Sequence, residues 1–157
     1  MRTNMNDEIN FNRRTLLFSA GGAIAITTSP LTAFAAQEDL DAARRELFGD
    51  RSIQEGRVTV KLPPIAENGY SVPLMVSVDS AMTPSDYVKQ ITVLSPRNPL
   101  PNVAQFSLTP RSGKAIVSTR IRMSGTQSIQ AIAEMTDGSL WSGSMETVVT
   151  LAACVVL

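Results

Sequence analysis

The sequence predicts an all-β fold, an immunoglobulin-like antiparallel β-sandwich with a short N-terminal helix. Three observations carry that expectation. Beyond Gly56, apolar and polar residues alternate at a period of two in one segment after another. Turn signals separate these segments at roughly ten-residue spacing. The stretch they occupy, residues 57–151, is about a hundred residues long, the usual size of such a sandwich. With 43% hydrophobic and 18% charged residues the balance is that of a globular chain, which excludes disorder, coiled coil and collagen.

The first 35 residues read as an address. Arg13-Arg14 precedes a short apolar run from Leu16 to Ile26, diluted by Ser19, Gly21 and Gly22. The run is too short and too weakly apolar to span a bilayer stably. Ala33-Phe34-Ala35 follows with the small-x-small pattern of a cleavage site. An arginine pair, a mild apolar core and Ala-x-Ala in that order make a twin-arginine export signal, residues 1–35. This predicts a periplasmic protein with no membrane insertion after cleavage, and a mature net charge of about −1. The twin-arginine route moves folded proteins, so a folded partner is the expected cargo.

Residues 36–56 hold the helix and a linker. Leu40, Ala43 and Leu47 fall at helical spacing within 38–48, acids lead, arginines follow, and Gly49 ends the run. Strands then follow in order. Val58, Val60 and Leu62 alternate with Arg57, Thr59 and Lys61 until Pro63-Pro64 breaks the run. Glu67-Asn68-Gly69 reads as a turn before Val72, Leu74, Val76 and Val78. Tyr87–Leu94 is a third run, and the three prolines of 95–101 make a loop. Val103–Thr109, Lys114–Met123 and Ser128–Met135 come next. Asp137-Gly138 is a hairpin turn into the last strand, which runs from Leu140 to Leu151. The segment 152–157 is a tail.

Composition narrows the function. Fourteen basic and fourteen acidic side chains cancel, so no global field attracts nucleic acid or an anionic membrane. The chain has no histidine, which removes histidine-based triads, dyads and zinc sites. No cofactor ligand set is visible. A self-contained enzyme is not expected; a binding, structural or carrier protein is. Arg120 and Arg122 alternate on one strand face, where they either meet an anionic adduct or a partner's carboxylates, or are simply solvated. The methionines at 75, 82, 123, 135 and 145 read as core or interface.

Cys154 is the sole thiol. With one cysteine no internal disulfide forms. Its thiolate is a nucleophile able to carry a covalent adduct, and a chain end is loosely held. The alternative is a small buried hydrophobe in an apolar segment.

The sequence resembles the SoxY family, sulfur-carrier subunits of periplasmic thiosulfate oxidation. The pieces that carry the resemblance are Leu62-Pro63-Pro64-Ile65-Ala66-Glu67-Asn68-Gly69, Val72-Pro73 and Ser77-Val78-Asp79-Ser80-Ala81-Met82. Asn98-Pro99-Leu100-Pro101, Ser118-Thr119-Arg120-Ile121-Arg122 and Gly125-Thr126-Gln127 continue it. Ala133-Glu134-Met135-Thr136-Asp137-Gly138-Ser139 and Trp141 complete it. The resemblance implies a heterodimer with a SoxZ-like subunit and covalent sulfur attachment at Cys154. It implies transient contacts with SoxXA, the haem protein that joins thiosulfate to the cysteine oxidatively. It implies the same with SoxB, a dimanganese hydrolase that releases sulfate, and with SoxCD, which oxidises the sulfur left behind.

The tail departs from the family's Gly-Gly-Cys-Gly-Gly arm. Its flanks are Ala152, Ala153, Val155, Val156 and Leu157, which have less conformational freedom than glycine. Two function classes follow: a covalent carrier acting through Cys154, or a binding subunit that pairs with a SoxZ-like protein and has lost the flexible arm.

Overall fold

The computed structural model describes residues 31–153, with side chains from residue 38 onward. The arginine pair and apolar run of the leader, and Cys154 with the residues after it, lie outside the described residues.

Helix α1 spans Leu31–Phe48. It begins earlier than the expected 38–48 because Ala33, Ala35 and Ala36 are the strongest of helix formers and continue the helix backwards. Gly49 closes it by donating its N–H to the Arg45 carbonyl at 2.9 Å. Nine strands follow among the described residues: β1 Ile53–Glu55, β2 Val58–Lys61, β3 Ile65–Asn68, β4 Val72–Val78 and β5 Val88–Leu94 come first. Next are β6 Asn102–Ser107, β7 Ile116–Ile121, β8 Gln127–Met135 and β9 Leu140–Leu151.

The strands form two sheets. The larger has the order β1-β9-β8-β5-β6, with β3 also paired to β9; the smaller has the order β2-β4-β7. Alternation sets which face of each strand is buried. In β4, Val72, Leu74, Val76 and Val78 are buried and the residues between them face outward. Facing them across the sandwich are Val88, Ile91, Val93, Ile129, Ala131, Ala133 and Met135 of the larger sheet. Met82, Met123 and Met135 lie in this core and Met145 packs against it, while Met75 is exposed. Each fully buried Val or Ile contributes on the order of 1.5–3 kcal/mol of transfer free energy.

β5, β8 and β9 each bury one apolar residue on the outer face of the larger sheet, among polar ones, because α1 covers it there. Leu40 and Phe48 pack there on Leu94, Ile132 and Leu140. The result is three layers: helix, larger sheet, smaller sheet.

Two short strands were not anticipated. β1 and β3 pair parallel to the two halves of β9, Ile53 opposite Leu140 and Ile65 opposite Val148. Between them the chain leaves the larger sheet to lay β2 in the smaller one. At the crossing the Val58 carbonyl lies where a side chain on Gly143 would stand, so β9 needs a glycine there. The segment expected as a turn at Glu67-Asn68-Gly69 is therefore strand as far as Asn68, and the turn follows it. The remaining pairings are antiparallel, as expected.

Candidate functional site, the root of the C-terminal tail

β9 delivers the tail to one end of the sandwich. Thr150 Oγ1 donates to the Glu67 carbonyl at 2.9 Å, and Gly69 N–H donates to the Leu151 carbonyl at 2.8 Å. Gly69 in turn accepts from Met123 N–H at 2.8 Å, and the Met123 carbonyl accepts from Ala153 N–H at 3.1 Å. Three chain segments thus meet through backbone groups. A Cβ at position 69 would strike the Met123 carbonyl oxygen and lie 2.8 Å from Ala153 N. Only glycine admits this approach. Ala153 is 3% exposed, so the tail is fixed up to the residue before Cys154. Cys154 is the next residue in the sequence and lies outside the described residues.

A polar network holds Met123 in place. Gln127 Oε1 accepts from Ser95 Oγ and from Arg97 N–H, both at 2.9 Å. Asn98 Oδ1 accepts from Ser124 N–H at 3.0 Å, and Asn98 Nδ2 donates to the Arg122 carbonyl at 2.9 Å. Thr126 Oγ1 accepts from Val149 N–H at 2.9 Å, while Arg97 Nη1 donates to the Thr126 carbonyl at 2.8 Å. Gln127 is buried, and a buried amide with its bonds made fixes loop geometry firmly.

The arginines flagged by the sequence border this end. Arg120 is pinned: Nε donates to Ser71 Oγ at 2.6 Å and Nη2 to the Ser71 carbonyl at 3.0 Å. Arg122 is exposed beside Met123. Neither forms an ion pair with any described acid. No group of three or more potential metal ligands occurs among the described residues. Sequence reasoning missed the seat itself, since Gly69 and Met123 act through backbone atoms that carry no side-chain signature.

A family model described as "Sulfur oxidation protein SoxY" matches residues 44–154. The chain belongs to the SoxY family. Three of the pieces that carried the resemblance, ending at Gly69, beginning at Asn98 and spanning Gly125–Gln127, converge on the tail's root. Among solved structures the SoxY sulfur carrier protein from Chlorobium limicola f thiosulfatophilum is similar at 32% identity and a TM-score of 0.63. That match covers 74% of this chain and 96% of the relative. A superoxide reductase (neelaredoxin) from Ignicoccus hospitalis aligns at 14% identity and a TM-score of 0.53, over 60% of this chain and 80% of its own. A putative superoxide reductase from Thermotoga maritima aligns at 15% identity and 0.51, over 63% and 93%. These two share the fold alone. A search of curated proteins finds no match. SoxY membership agrees with the expectation of a non-enzymatic chain in sulfur oxidation. No helix among the described residues is long and apolar enough to cross a membrane.

Proposed function

We propose that the chain is a covalent sulfur carrier of thiosulfate oxidation, loaded on Cys154 and paired with a SoxZ-like subunit. The observation that carries this reading is the seat. Backbone bonds from Gly69 and Met123 anchor the chain through Ala153, and the sole thiol follows immediately. In loading, a SoxXA-like haem enzyme takes two electrons as an S–S bond forms between the Cys154 sulfur and the outer sulfur of thiosulfate. The thiol proton is released to water. A SoxB-like hydrolase then adds water across the bond to the sulfonate, releasing sulfate and two protons and leaving a persulfide anion. A SoxCD-like enzyme acts on that remaining sulfur. The carrier contributes the nucleophile and its position; the catalytic groups are its partners'.

The leader supports a periplasmic site for this chemistry, reached by twin-arginine export with cleavage after Ala35. An arginine-to-lysine pair at 13 and 14 then abolishes export while the fold forms.

One observation favours a second reading. Ala152, Ala153, Val155 and Val156 stand where the family's arm has glycines, with Leu157 extra, which suits a scaffold subunit that keeps its partner but no longer hands on sulfur. Cys154→Ser separates the two. A carrier loses thiosulfate oxidation completely, with folding and partner binding intact. A scaffold loses nothing.

A further inference from the structure

A groove of about 550 Å³ adjoins the seat. It lies between β6, the outer strand of the larger sheet, and β7, the outer strand of the smaller. Pro99, Leu100, Phe106 and Ile121 give it an apolar wall, and Arg120 and Arg122 give it charge; no acidic residue lines it. Leu100 is 72% exposed. The Ser71 bonds hold the Arg120 guanidinium in one orientation, and Arg122 has no acidic partner among the described residues. Groove and seat share one segment: Arg122 is held by Asn98, and the next carbonyl, Met123, holds Ala153.

We propose that this groove docks an extended acidic segment, carboxylates flanked by apolar side chains, on the enzymes that process the Cys154 load. The proposal rests on the carrier reading. Cys154 follows the anchored Ala153 directly in sequence, so an enzyme that processes its load meets this end of the sandwich. The surface it meets there is cationic and apolar together. Carboxylates match the guanidiniums through charge-assisted hydrogen bonds, and the open edges of β6 and β7 suit a polypeptide. A small oxyanion would leave the apolar wall unused. Nucleic acid would need many more cations than two.

Arg122→Glu and Leu100→Asp test this, since both side chains are exposed and neither supports the Ser71 bonds. The readouts are the loaded fraction by intact mass in protein from thiosulfate-grown cells, and the rate of iodoacetamide alkylation of the purified unloaded protein. Each variant should lower the loaded fraction by about tenfold or more and leave alkylation unchanged. An unchanged loaded fraction overturns the proposal. So does slowed alkylation, which would mean the residues act on the thiol itself. Loss of a co-purifying subunit together with loading also overturns it, because the groove then belongs to a permanent partner. An unloaded parent chain overturns the carrier reading first, and the groove's role with it.

Discussion

At Gly69 a single methyl group decides whether the root of the tail can close. Gly69→Ala places a Cβ against the Met123 carbonyl and Ala153 N, and the neighbours that must yield are backbone atoms. The expected cost is about 1–3 kcal/mol. The more specific outcome is local: amide exchange at Ala153 should accelerate well beyond the change in global stability. Exchange that rises equally throughout the sheet would mean Gly69 serves the fold and not the tail. Asp137 offers a second test at this scale. Its carboxylate accepts from Ser139 Oγ at 2.6 Å and Ser139 N–H at 2.9 Å, and these bonds hold its pKa below the ordinary value of 3.8. A lowered folded-state pKa stabilises fully above the unfolded value, and the contribution disappears as pH falls through the folded one. Asp137→Asn should therefore flatten the acid limb of the stability curve below the ordinary carboxylate range. An unaltered acid limb contradicts this.

Among the elements, strands with one wet face and one dry face could be read directly from the chain. β4 is the clearest, its four valine and leucine positions buried and their neighbours outward. Val76→Asp should cost several kcal/mol by burying an unpaired charge between the sheets, and a cooperative thermal melt at the parent temperature would contradict that placement. β8 was legible as one strand, but only its alternating face was. Ile132 looks away from Ile129 and Ala131 because α1 covers it there, a consequence of tertiary packing that period-two counting cannot show. β1 and β3 escaped notice for the opposite reason. Ile53–Glu55 and Ile65–Asn68 bury little, so they have no alternation, and each exists because the neighbouring edge of β9 offers it hydrogen bonds. The thiol is named by the sequence alone, because cysteine chemistry is written in one letter, and it lies outside the described residues. The seat was not legible, since it is made of N–H and C=O groups that every residue has.

For the whole molecule, the fold sets a limit on the chemistry. Three layers close the core, and the last strand ends in a clamp at Gly69 and Met123, so the described chain ends anchored through Ala153 at one end of the sandwich. On the carrier reading proposed above, partners would have to come to this end of the sandwich to meet Cys154. The most direct test is the intact mass of the mature protein, purified from cells oxidising thiosulfate, beside its Cys154→Ser counterpart. The account predicts a thiosulfate-derived mass increment on the parent chain, removed by reductant and missing from the serine variant. A parent chain with only its unmodified mass in cells actively oxidising thiosulfate, or an equal increment on both proteins, would contradict it.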